Sequence, residues 1–193
     1  MGNRITSNVI FVLLWFALSL NGQDQYSFEL RVGTIMPTEK LGNADLDFGW
    51  CIEGVVDLRM TSFFGPYLGW GWNRFSGEET LNKASVQFGE TGFLFGLGFH
   101  LPIGESLSGY YIRLGGVYNF VKTKSEAPVF TEVFGDGLGW QAGFGLNIFM
   151  GNNWQVRPGI KYKALSRDIM TKPLNQQVDL NYFSMGLGIA KIF

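Results

Sequence analysis

With 193 residues the chain is long enough for one domain, and its 16% charged residues and 27 glycines depart from soluble domains, which carry roughly 25% charge and about 7% glycine. A net charge of -1 leaves no basic excess for phosphates and excludes nucleic acid as a partner, while 46% hydrophobic and 16% aromatic content excludes disorder. One cysteine and one histidine exclude an intramolecular disulfide and argue against a Cys/His zinc site.

Arg4, the apolar run from Val9 to Leu20 and the abrupt change to polar Asn21 follow the order of a secretory signal, so residues 1–22 are expected to be a cleaved export peptide and 23–193 the mature domain. The run is too short for a membrane helix, which needs roughly 20 apolar residues. From there the apolar pattern has period two. Tyr26, Phe28, Leu30 and Val32 alternate with Ser27, Glu29, Arg31 and Gly33, and the even positions from Leu46 to Met60 are mostly apolar. Six further segments follow: Phe64 to Trp72, Phe93 to Phe99, Tyr110 to Phe120, Leu138 to Ile148, Trp154 to Tyr162 and Phe183 to Ile189. Pro66 and Pro158 fall inside such segments and imply a bulge or a late strand start. The alternation slips phase between Phe88 and Phe93 and between Tyr182 and Phe183, implying a bulge or a strand shorter than the apolar pattern.

Eight strands result, joined alternately by short turns and longer connections. The short turns lie near Thr61, near Ile103 and at Gly151, Asn152 and Asn153; the long connections are 37–45, 76–90, 123–136 and 166–177. This is the layout of an all-β, antiparallel, up-and-down transmembrane barrel with short periplasmic turns and longer outer loops. Residue size gives the sidedness. The apolar face is rich in Phe, Trp and Leu, too bulky for a narrow interior but suited to lipid, and the polar face is mostly small; a secreted lipocalin-type carrier has the reverse arrangement. Two aromatic girdles are expected. Trp50, Trp70, Trp72, Trp140, Tyr162 and Tyr182 belong to the long-loop side, and Tyr26, Tyr110 and Trp154 to the short-turn side.

The last strand alternates Met185, Leu187, Ile189, Lys191 and closes on Phe193, which resembles the terminal signature of Gram-negative outer-membrane proteins. The mature chain is similar to small OmpA/OmpX-type barrels and to the PorT-like outer-membrane β-barrel family; Lys191 stands where that signature has an apolar residue. The resemblance implies insertion by the barrel-assembly machinery with Phe193 as its signal. Outer-membrane lipid is expected around the apolar wall, and that coat without a catalytic set makes other outer-membrane proteins in a larger complex the expected partners.

Glu29, Glu53 and Asp57 share the polar face with Arg31, Arg59, Arg113, Arg157, Lys161 and Lys163, so the lumen is expected to hold a salt-bridged plug. The alternative is a narrow ion or small-solute channel whose excess of cations favours anions. A lipid-modifying enzyme needs a nucleophile beside His100, and none is near it in sequence. Cys51 reads as a lumen filler. Gly137, Gly139 and Ala142 match a dinucleotide fingerprint, but inside a strand with no helix following. Asn43, Asp45 and Asp47 do not have EF-hand spacing. No catalytic residue, metal or cofactor is expected, and the function reads as structural or interactive: an accessory subunit or surface barrel.

Overall fold

The computed structural model describes residues 26–38, 44–61, 63–79, 85–104, 106–126, 129–171 and 174–193; the expected export peptide lies outside them. The strands are β1 (Tyr26–Pro37), β2 (Ala44–Leu46), β3 (Gly49–Leu58), β4 (Phe64–Glu79), β5 (Ser85–Pro102), β6 (Gly109–Glu126), β7 (Val129–Gly151), β8 (Trp154–Thr171) and β9 (Leu174–Ile192). Both β2 and β3 pair with β4, and Asp47 between them donates its N–H to the Ser76 carbonyl at 2.8 Å, so together they make one stave. Sequential antiparallel pairing, the β4–β5 ladder and the β1–β9 ladder close eight staves into a barrel. Among the described residues no helix is long and apolar enough to cross a membrane.

The barrel is turned inside out relative to a soluble protein. Leu68, Leu138 and Met185 are 61%, 66% and 55% exposed on the outer wall, whereas Glu29, Arg31, Glu53, Asp57, Arg113, Arg157 and Lys163 are buried inside. That distribution overturns the lipocalin-type alternative, because a wall so continuously covered by exposed Leu, Phe, Ile and Met suits lipid and not water. Glycine makes room for the contents. A Cβ on Gly145 would lie 2.6 Å from the Tyr111 ring, and a Cβ on Gly188 would collide with the Glu29 carboxylate.

Most of each expected long connection from Ser76 onwards is strand instead. β4 runs to Glu79, β6 to Glu126 and β8 to Thr171, with their partners pairing to the ends. Above the lipid both faces meet water, so the ladder continues while the apolar alternation that marks a strand disappears. Neither phase slip is a bulge. The β4–β5, β5–β6 and β8–β9 ladders keep one register throughout, and Phe88 and Tyr182 simply point inward. A register shift within the ladders occurs instead between Phe120 and Val121, where β7 carries the additional residue Gly135.

Each proline sits where one ladder stops. The β3–β4 pairing ends at Asp57 and Tyr67, so Pro66 has no β3 partner while β5 stays paired to it, and the β7–β8 pairing skips Pro158 while β9 stays paired to it. The missing N–H therefore costs no ladder bond on the uninterrupted side. At the turn after β7, Gly151, Asn152 and Asn153 have φ of 89°, 48° and 63°, a left-handed run that glycine and asparagine tolerate best.

Candidate functional site in the barrel lumen

Taking the short-turn end as the bottom, the lumen is filled in layers. In the lowest, three guanidinium groups meet two carboxylates. Glu29 on β1 accepts from Arg31 Nε at 2.8 Å, from Arg113 Nη2 at 2.5 Å and from Arg157 Nη1 at 3.0 Å. Asp57 on β3 accepts from Arg113 Nη2 at 2.7 Å and Arg157 Nη1 at 3.0 Å. Arg157, fully buried, also donates to Ser27 Oγ at 3.1 Å and to Gln155 Oε1 at 3.0 Å. Since β1 and β6 face each other across eight staves, the bonds from Arg113 to Glu29 and from Arg31 to the Tyr111 hydroxyl span the lumen. The Arg113 guanidinium lies 5.7 Å from the Tyr67 ring and 5.1 Å from the Tyr111 ring.

Above it, Lys161 on β8 donates to Glu53 on β3, and Gln141 Nε2 donates to the Tyr67 hydroxyl at 2.8 Å. These groups, with Arg31, Arg113 and Tyr111, surround a cavity of about 20 Å³. The upper layer is built on Glu90 of β5. It accepts from Lys163 Nζ at 3.2 Å, from the Tyr182 hydroxyl at 2.8 Å and from the Asn119 amide. Tyr182 in turn accepts from Asn73 Nδ2 at 2.7 Å and meets the Phe75 ring edge-on at 5.3 Å. Phe75, Phe88, Ile35, Cys51, Leu165 and Leu180 belong to the same buried apolar cluster.

Of the residues expected in the lumen, Glu29, Arg31, Asp57, Arg113 and Arg157 come together in one network, Glu53 and Lys161 form a separate pair, and Lys163 joins Glu90. Arg59 is half-buried just beyond the end of β3. Glu90, Asn73, Asn119, Tyr67, Tyr111 and Gln141 were not singled out by sequence. Tyr182, expected in the upper girdle, is corrected to a lumen residue: its phase places it inward, where its hydroxyl finds Glu90. Trp50, Trp70, Trp72, Trp140, Tyr26, Tyr110 and Trp154 are exposed on the outer wall, and Tyr162 meets Trp140 and Phe183 there in tilted ring contacts at 5.4 and 4.9 Å. Phe193 stacks on Tyr26 at 5.0 Å and donates its N–H to the Tyr26 carbonyl at 2.9 Å.

His100 is buried low in the lumen, with Asn147 Nδ2 3.2 Å from its Nδ1. An amide there supplies no nucleophile. Cys51 is buried and free, and among the described residues no three His, Cys, Asp or Glu side chains are grouped as a metal site.

No protein-family model matches the chain, and no curated protein matches its sequence. Its fold is similar to solved outer-membrane barrels. Neisserial surface protein A shares 10% identity over 88% of this chain and 97% of its own, with a TM-score of 0.59. The outer-membrane protein OprG of Pseudomonas aeruginosa shares 14% identity over 86% and 95%, also at 0.59. Ail, the attachment invasion locus protein of Yersinia pestis, shares 14% over 88% and 99%, at 0.51. At these identities the likeness carries the fold: a small eight-stranded barrel of the Gram-negative outer-membrane kind.

Proposed function

We propose that the chain is an integral outer-membrane barrel of a Gram-negative bacterium with a closed lumen, acting as an accessory subunit or surface barrel. It is exported with loss of residues 1–22 and inserted by the barrel-assembly machinery through its Phe193 end. The observation that carries the reading is the filling of the lumen. A charged layer and an apolar layer lie one above the other, and the cavity that the described residues leave between them, of about 20 Å³, is little more than the ~10–15 Å³ one water needs. A solute path would require both layers to rearrange, and His100 has an amide rather than a hydroxyl beside it. The lumen thus serves to hold the wall rigid, and contacts with partners fall to the outer wall, the turns and the upper rim.

The test is the native size of the protein extracted from outer membranes in mild detergent, followed by planar-bilayer recording. A reproducible larger complex, with a silent bilayer, is the expected result. Discrete conductance steps from the folded protein would replace the closed barrel by a narrow channel.

A further inference from the structure

We infer that the mid-lumen cavity is a buried binding site for one small monovalent anion, a halide such as chloride. The first observation is charge. In the lowest layer three guanidinium groups share two carboxylates, whereas Lys161 with Glu53 and Lys163 with Glu90 are matched one to one. Within this set of described groups one positive charge is left over, and two of the three arginines, Arg31 and Arg113, line the cavity. An uncompensated buried charge is expensive, and a water molecule does not neutralise it.

The second observation is the polarity of the wall. Arg31, Arg113 and Lys161 are donors only, and the one carboxylate lining the cavity, Glu53, already accepts from Lys161. Tyr111 accepts a hydrogen bond at its phenol oxygen from Arg31, which leaves its own O–H proton to donate. Gln141, 4% exposed, has its Oε1 buried without a partner. Turning the amide over resolves this: Oε1 accepts the Tyr67 proton and the NH₂ donates into the cavity. The volume also fits, since about 20 Å³ exceeds what one water requires and leaves room for a single halide.

The test uses the folded protein in detergent at constant ionic strength, with chloride replaced stepwise by gluconate, which is too large for the cavity. A ligand held only by the folded state raises the unfolding temperature with the logarithm of its concentration, by about 3–6 °C per tenfold once above its dissociation constant. Chloride and bromide are expected to show this dependence, and Gln141→Leu, which removes the amide donor, to need several-fold more chloride for the same shift. Crystals grown in bromide are expected to show anomalous density between Tyr67 and Lys161. Coincident unfolding curves in chloride and gluconate, or bromide found only on the outer surface, would overturn the site. The closed-lumen reading is judged separately: a silent bilayer without bromide in the cavity removes the anion and keeps the plug, and conductance steps with bromide there do the reverse.

Discussion

Below the mid-lumen cavity, Arg31, Arg113 and Arg157 are held by Glu29 and Asp57; above it, Phe75, Phe88, Ile35, Leu165 and Leu180 form an apolar cluster with Tyr182, whose hydroxyl serves the Glu90 carboxylate. Both layers span the same narrow lumen with different physics. The lower one is held by paired charges whose value lies in each having its partner. The upper one is an apolar core in miniature, with one polar cluster gathered on Glu90. A network of charges punishes the loss of one member through the partner left behind, while a packed layer punishes it through the space left behind.

The largest effect is expected for Glu29→Ala. It leaves three guanidinium groups facing Asp57 alone, and removing one partner of a buried pair costs about 3–5 kcal/mol. Urea unfolding in lipid vesicles reads this as a lowered midpoint. Arg157→Leu sharpens the comparison. It leaves two guanidinium groups against two carboxylates, so its cost should be the smaller despite the loss of contacts to Ser27 and Gln155. A larger loss for Arg157 than for Glu29 would break the charge account of the lower layer.

Next is Phe75→Ala in the upper layer, at about 3 kcal/mol for a buried phenylalanine whose ring packs on Tyr182. Its bilayer recordings should remain silent because the lower network is untouched; steps from this variant alone would mean that the charged layer does not seal. A smaller loss, about 1–2 kcal/mol, is expected for Tyr182→Phe. The ring stays against Phe75, but Glu90 loses one donor and Asn73 its acceptor. Full retention of stability would show that Lys163 and Asn119 satisfy Glu90 unaided.

The two layers also differ in how far they could be read from sequence. Glu29, Glu53, Asp57 and the cations across from them stand in clean polar phase opposite an apolar face, so the lower layer was visible as residues sharing one side. The upper layer was hidden because its inward residues are apolar like the outward ones. Phe88 and Tyr182 were therefore read as slips, although counting back by two from Leu94 keeps Glu90 and Phe88 on one face without a break. The strands above the lipid were missed for a related reason, since backbone pairing there leaves no hydropathy signature. The pairing of particular charges was not legible either. It depends on which staves face across the lumen, and that follows from the closed order of the barrel, not from spacing along any one strand.

The smallest effect contrasts a rim charge with the lumen charges. Lys191 points outward at the short-turn end, where its ammonium donates to the Asn152 carbonyl at 2.8 Å and lies 5.1 Å from the Trp154 ring. Its stem covers apolar surface while its head reaches the water at the turn, the snorkelling arrangement of a lysine at a membrane interface. Nothing buried depends on it, so Lys191→Leu should change unfolding stability by only about 0.5 kcal/mol, the scale of one exposed cation–π contact. It also restores the apolar residue of the terminal strand pattern, so the amount of assembled protein should hold or rise. A loss on the scale of Glu29→Ala would mean that the rim, and not the lumen, is where charge holds this barrel together.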